Sequence, residues 1–575
     1  MRSPQAVLET LRKHAQETQY QYERLYRNLY NPQFYLLAYQ NLYANKGSMT
    51  PGADGKTISG MGMKRIEDLV KKIRDRSYQP HPARRQYIPK KSGNGLRPLG
   101  IPSADDKLVQ EAVRMILESI YEPNFKQTSH GFRPNRSCHT ALAQIQRTFT
   151  GVSWFVEGDI KGCFDNIDHH ILIGILKRRI KDEAFIDLIW KLLRAGYLED
   201  WMKHQTYSGT PQGSGVSPLL ANIYMNELDQ FMEEYRGSFN KGDKRRFSNA
   251  YVNANHHYAR AKARNAKKWE LMNEEERENA RIMQKELQTT LLSTPSRDQM
   301  DPNYRRIVYV RYADDFLIGV IGSKTDAEQV KTDVGDFLRQ NLNLTMSPEK
   351  TLITHGHDKA RFLGYDITIN QNQSTKKTKG GTKRTYNSRV VLLLPNEKWM
   401  GKLQEYGILQ IRKDHTRKEI WMPTARNSFQ NKEPIEILAQ YNAEIRGIYN
   451  YYRMARNVSV LNKFHYVMEY SMYKTIAGKM RCSAAKVKKK YTKDRIFGIE
   501  YETKRGWKRA EFYHDGFHRS TPAKLDIDTM PDYKVSVRPK EVIARFMTGY
   551  CELCCKNEHP VLIHQIKSLK CLTGN

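Results

Sequence analysis

The chain lacks any apolar run approaching the roughly 20 residues that a membrane-crossing helix needs. Its mean hydropathy is −0.73, and only 39% of its residues are hydrophobic. These values exclude a helical membrane protein, and no membrane partner is expected. Near the N-terminus, Pro4, Glu9 and Glu17 occur without the apolar core of a secretory signal. The acidic residues also fit poorly with an organellar transit peptide. Cysteine is scarce. Four of the seven (Cys551, Cys554, Cys555 and Cys571) crowd the last 25 residues, and Cys138, Cys163 and Cys482 are scattered. That pattern excludes the disulfide framework of a small secreted domain and points to a reducing compartment with at most one metal site. Acidic residues are few beside basic ones, 62 against 95, which leaves a formal net charge of +33. Such an excess disfavours a compact chain through self-repulsion unless a polyanion offsets it, so a nucleic-acid partner is implied. At 575 residues the chain is too long for one hydrophobic core and must hold several domains.

Against this background the most informative residues are Tyr312-Ala313-Asp314-Asp315, set between apolar, β-branched runs at 307–310 and 316–320. Alternation of Val308, Val310 and Tyr312 predicts one strand, and Leu317-Ile318 with Val320-Ile321 predicts the next. Together they form a β-hairpin whose turn presents two adjacent carboxylates. Taken alone, such a pair reads as an Asp-rich surface turn. Adjacent carboxylates repel, however, and a hard divalent ion such as Mg²⁺ is their natural counter-charge. Upstream, the apolar residues 154–156 lead to Asp159 at a strand end, and Phe164 follows five residues later. An Asp at one strand end and a pair on a neighbouring hairpin suit two-metal chemistry, which activates a 3′-hydroxyl and stabilises leaving pyrophosphate without a protein nucleophile.

An ordered series of blocks accompanies these carboxylates. It comprises Tyr87-Ile88-Pro89-Lys90 with Arg97-Pro98-Leu99-Gly100-Ile101-Pro102, then His130-Gly131-Phe132-Arg133-Pro134-Asn135-Arg136-Ser137, then the Asp159 strand. Gly209-Thr210-Pro211-Gln212-Gly213-Ser214-Gly215-Val216-Ser217-Pro218-Leu219 follows, then Tyr312 to Asp315, Pro348-Glu349-Lys350-Thr351 and Arg361-Phe362-Leu363-Gly364-Tyr365. In this order, over about residues 45–550, the chain resembles the group II intron-encoded reverse transcriptases, or maturases. The resemblance implies that Asp159 and Asp314 are the main ligands of two Mg²⁺ ions, with Asp315 set further back. It makes Phe164 the steric gate against a ribose 2′-hydroxyl. Arg97, with Lys90 or Lys91, would grip the triphosphate, an Arg fork and a mobile Lys charge both suiting phosphate. Gln212 would pack by the nucleotide among glycines that permit close backbone approach. Lys350 would protonate or shield the leaving pyrophosphate. For the three lysines the plain alternative is an ordinary solvated side chain.

The implied fold is α+β: a right-hand polymerase with an antiparallel palm sheet, an α-helical thumb and a basic DNA-binding region. Residues 1–150 would form an N-terminal extension and fingers, with 1–45 helical and Tyr22, Leu25, Tyr26 and Leu29 at helical spacing. Ser103 is expected to cap a helix whose stripe runs Leu108, Ala112, Ile116 and Ile120. The palm would span 151–370, with a helix over 219–228. Its mixed-charge insertion at 237–303 is either a solvated helical hairpin or an intron-RNA contact. A connecting region at 371–433 begins with a Lys-, Thr-, Gly- and Asn-rich stretch expected to be a mobile loop. The thumb, or maturase domain X, would fill 434–490, on the pattern Ile435, Leu438, Tyr441 and Ile445. Residues 481–510 hold eleven Lys or Arg against three Asp or Glu, interleaved with Tyr491, Phe497, Tyr501 and Trp507. That suits phosphate contact with base stacking, and a DNA-binding domain is expected over 491–548.

Residues 549–575 resemble the opening of an HNH endonuclease domain, in truncated form. Cys551, Cys554 and His564 supply part of a zinc site, but Cys571 completes it only through an unusual fold, so zinc is not expected. His564-Gln565 stands where the family has two adjacent histidines, and no DNA nicking is expected. The implied activity is RNA-directed DNA synthesis, with assistance to splicing. The implied partners are the group II intron RNA, an RNA template/DNA primer duplex, target DNA and dNTPs, in a bacterial cytoplasm and at the nucleoid when DNA-bound. Two alternatives stand beside it: a non-catalytic RNA-binding maturase, which would not need Asp159, Asp314 and Asp315, and a domesticated reverse transcriptase serving repair or defence.

Overall fold

Helices at Pro4–Ala15 and Pro32–Leu42 both open with proline at the first turn behind a capping side chain, Ser3 and Asn31. Residues 16–25 between them are not helical, in contrast to the expectation for 1–45. Tyr22 instead pairs as an extended residue with Ile180: its N–H donates to Arg179 O (2.7 Å), and Lys181 N–H donates to Tyr22 O (2.9 Å). Tyr22, Leu25 and Leu29 all enter the core, so tertiary burial overrides their helical spacing. The computed structural model describes residues 2–520 except 46, 90–94, 200–201, 205–208, 210–213, 299, 371–374, 379–380, 385–387, 414, 417–418 and 504–505, together with 562–563.

In the fingers, β1 (Ala83–Pro89) pairs antiparallel with β2 (Leu96–Ile101), placing Ile88 opposite Arg97. Helix α1 (Ala104–Tyr121) starts at Ser103, whose hydroxyl accepts the Asp106 N–H at 3.1 Å. Its stripe of Leu108, Ala112, Ile116 and Ile120 is buried as the periodicity predicts. Helix α2 (Cys138–Thr148) is held by a Ser137–Thr140 capping box.

The palm is a four-stranded antiparallel sheet. Its central strand β3 (Trp154–Asp159) precedes α3 (Ser217–Phe239), the hairpin of β4 (Arg306–Tyr312) and β5 (Asp315–Ile321), helix α4 (Lys324–Leu342) and β6 (Leu352–His355). The spatial order is β4-β5-β3-β6. Alternate side chains of β5 enter different cores: Phe316, Ile318 and Val320 pack toward α3 and α4, and Leu317 and Ile321 toward α2 and the thumb. Burial on both faces fixes the register, since a one-residue slip would exchange the two sets.

The insertion between α3 and β4 folds as two packed helices, Asn249–Lys268 and Glu274–Ser293, and the second buries no residue. Within 371–389, expected as a loop, Thr375–Thr378 and Gly381–Arg384 form a two-stranded ribbon. The thumb comprises α5 (Pro434–Tyr452), α6 (Leu461–Lys479), the short helix Ala484–Tyr491 and a three-stranded sheet of Thr492–Lys493, Ile496–Thr503 and Gly506–Glu511. Residues 492–517, assigned from the sequence to the start of a DNA-binding region, share the thumb's core. Phe497, Ile499, Phe512, Tyr513 and Phe517 are buried with Leu438, Tyr441 and Met468. Asn442 ties the two parts, donating to Glu511 O (2.7 Å) and accepting from Tyr513 N–H (2.8 Å).

Candidate active site

The three carboxylates predicted from the sequence meet at the end of the palm sheet. Asp159 closes β3 directly opposite Asp315, the first residue of β5. Asp315 in turn pairs with Tyr312 across a two-residue turn, so only Ala313 and Asp314 form its tip. Ala313 has φ 58°, the left-handed conformation that a tight hairpin demands and that a non-glycine residue adopts only under outside restraint. Gly158 allows the strands to close beside the site: a Cβ there would stand 2.1 Å from the Phe316 ring.

Burial raises the pKa of Asp314, and Asp159 adds to the effect. Asp315 is pushed up to about 7, first by burial, then by the charges of Asp314 and Asp159. Lys350 supplies counter-charge, its Nζ lying 3.0 and 3.2 Å from the two Asp159 oxygens. That contact holds the Lys350 pKa above its usual value. Among the described residues no three acidic, imidazole or thiol side chains stand close enough together to hold an ion unaided. The donor set nonetheless suits a hard divalent cation: carboxylate oxygens with strong mutual repulsion, open to a cleft from which phosphate oxygens could complete its shell.

The cleft is about 1000 Å³ and is lined by all three carboxylates with Arg97, Phe132, Phe164 and Lys350. Arg97 reaches it from β2, and its charge opposes the rise at Asp314. Phe164 is half-buried, with the Phe132 ring edge-on to it at 6.0 Å. Phe132 is more than half exposed, and the sequence block that contains it carries no signal for a place beside Phe164. The expectations for Lys90, Lys91, Gln212, Cys551, Cys554, His564 and Cys571 lie outside the described residues.

Sequence reasoning missed the layer beneath the turn. Arg311, fully buried in β4, donates to both oxygens of the equally buried Asp229 on α3, at 2.8 and 2.6 Å. Tyr309 OH donates to the same carboxylate at 2.9 Å. Burial opposes the charge on Arg311, but Asp229 more than restores it and holds the guanidinium firmly protonated. Removing one partner of such a pair typically costs about 3–5 kcal/mol, because the other charge is left buried and uncompensated. One signal was available: an arginine inside an otherwise apolar, alternating strand requires a buried acid, and Asp229 lies in the apolar stripe of Leu228 and Met232.

A palm sheet with one carboxylate at its central strand end and two on the adjoining hairpin, beneath a fingers ribbon and beside a helical thumb, defines a right-hand nucleic-acid polymerase. Residues 88–252 and 281–367 match the family described as reverse transcriptase (RNA-dependent DNA polymerase), and 387–517 match type II intron maturase. The first match breaks at 253–280, inside the helical insertion. The second contains the whole thumb core through Phe517. The chain is 42% identical over 580 residues to the group II intron-encoded protein LtrA of Lactococcus lactis subsp. cremoris, covering 100% of this chain and 95% of that protein. It is 38% identical over 459 residues to the putative COX1/OXI3 intron 1 protein of Saccharomyces cerevisiae, covering 78% and 52% respectively. The chain belongs to the group II intron-encoded proteins, and joins an RNA-directed DNA polymerase to an intron maturase domain. Polymerases of this kind use divalent metal. Among the described residues no helix is long and apolar enough to cross a membrane.

Proposed function

We propose that this chain binds a group II intron RNA, assists its splicing and copies it into DNA at a DNA target during retrohoming. Asp159 and Asp314 would be the principal ligands of two Mg²⁺ ions, with Asp315 beside them. The observation that carries this reading is the cross-strand register that sets Asp159 against Asp315, with Asp314 at the adjoining turn. When bound, such ions would supply activation of the primer 3′-hydroxyl and charge stabilisation for the leaving pyrophosphate. The chain's own groups do the rest. Arg97 binds the triphosphate of the incoming dNTP across the cleft from the carboxylates. Phe164, backed by Phe132, fills the space under its sugar and rejects a 2′-hydroxyl. Lys350 holds a proton beside Asp159 and exchanges that carboxylate for pyrophosphate oxygens as they depart. The thumb and its sheet of Thr492–Lys493, Ile496–Thr503 and Gly506–Glu511 hold the template–primer duplex and the intron RNA, the excess of basic residues suiting both, in the cytoplasm and at the nucleoid when DNA is bound.

Primer extension on an RNA template with dNTPs and Mg²⁺, run beside Asp314→Ala, tests this. Synthesis by the wild type alone, with equal intron-RNA binding by both proteins, is the expected result. A folded, RNA-binding wild type that makes no DNA would leave splicing as the chain's only role.

A further inference from the structure

We propose that Arg311 is a positioning residue for DNA synthesis, fixing the peptide that carries Asp314. The inference rests on the assignment of Asp314 as a metal ligand and extends it to a group that never touches substrate. All five N–H bonds of the Arg311 guanidinium are engaged. Nε and Nη2 bind Asp229, Nη2 also donates to Ser129 Oγ (2.8 Å), and Nη1 donates to Asn222 Oδ1 (3.3 Å) and to Ala313 O (2.8 Å). The last contact matters most. The Ala313 carbonyl belongs to the peptide bond leading into Asp314, so a donor on that oxygen sets the peptide plane and the direction in which the Asp314 side chain leaves the turn.

The backbone at Arg311 is held equally firmly. Its N–H donates to Thr128 O (2.8 Å) and its carbonyl accepts from His130 N–H (2.9 Å). Asn222 Nδ2 donates to Gly131 O at 2.7 Å. Strand β4, helix α3 and segment 128–131 thus converge on one planar cation, whose remaining donor points into the catalytic turn. Ala313 is the left-handed residue of that turn, and this contact supplies the outside restraint its conformation requires. A lysine would keep the charge opposite Asp229, but as a point donor it could not bind Ala313, Ser129 and Asn222 together.

A purely structural buried ion pair is distinguishable from a positioning one, because apolar side chains of similar volume often replace such pairs without loss of stability. The triple variant Arg311→Met/Asp229→Leu/Tyr309→Phe removes the pair and the hydroxyl aimed at it. With cooperative melting and intron-RNA affinity close to wild type, it is expected to lose about 100-fold in kcat, the scale of a displaced reacting group. Half-saturation by Mg²⁺ is expected to rise several-fold, with little change in the KM for dNTP. Arg311→Lys is expected to show the same signature at about tenfold, and serves if the triple variant fails to fold. Either folded variant with kcat and Mg²⁺ demand within twofold of wild type overturns the proposal. Asp314→Ala in the same assay separates the two levels: if it still makes DNA, the carboxylate assignment itself fails, and this inference with it.

Discussion

Gly131→Ala tests how tightly the turn that carries Asp314 is gripped from outside. Gly131 lies against the turn at so short a range that a Cβ there would stand 2.2 Å from Ala313 N and 2.9 Å from its Cα. Ordinary van der Waals contact begins at 3.4 Å, so one methyl group demands a separation about 1.2 Å greater. The obstacle is backbone on both sides. Segment 128–131 is bonded to Arg311 and, through the Gly131 carbonyl, to Asn222, and cannot retreat without breaking those contacts. The turn, with solvent beyond it, is the part that yields, and Asp314 moves with it. A shift near 1 Å in a reacting group costs about 100-fold in rate, or about 2.7 kcal/mol in barrier height. Crowding of this kind costs about 1–3 kcal/mol in stability, which a chain of this size tolerates. Single-turnover primer extension at saturating dNTP should therefore show the loss in kcat, while intron-RNA affinity and cooperative melting persist. A folded Gly131→Ala protein with wild-type turnover would refute the claim that crowding from segment 128–131 displaces Asp314.

Phe164→Ala should relax sugar discrimination, raising ribonucleotide incorporation relative to deoxyribonucleotide. An unchanged ratio in competition assays removes Phe164 from the gate. His130 is buried with both ring nitrogens bonded, to Thr140 and Gln144, and burial pushes its pKa down to about 3 from 6.5. Because the fold holds it neutral, its contribution is complete above pH 6.5 and is lost as pH falls toward 3. At pH 5 that loss is about 2 kcal/mol. Urea midpoints at pH 7 and pH 5 should therefore differ less for His130→Gln than for wild type, and equal differences in the two proteins would count against the assignment. Intron-RNA affinity should fall about 10³–10⁵-fold between 50 and 200 mM salt if six to ten phosphates are neutralised, and a flat response would exclude the electrostatic account.

What the sequence disclosed was chemistry written in contiguous residues. The hairpin at 306–321, the strand ending in Asp159 and the cap at Ser103 each rest on neighbours within a few positions. Local periodicity and turn chemistry suffice for such features. The limits fall where distant partners decide. Tyr22 lies at helical spacing but is extended by pairing with residue 180, and a core joining Phe497 to Tyr441 runs across the expected boundary at 490. The same limit hid half of the site. Asp229 and Arg311 are 82 residues apart, and Asp159 and Lys350 are 191 apart, so no periodic pattern relates them. Their types mislead as well, because Arg and Asp ordinarily signal exposed surface. Here both are fully buried, which is tolerable only if every donor and acceptor is met. The carboxylates that meet at the end of the palm sheet were therefore legible from chemistry alone. The scaffold that aims them became visible only once the folded chain set an arginine's five donors against their acceptors.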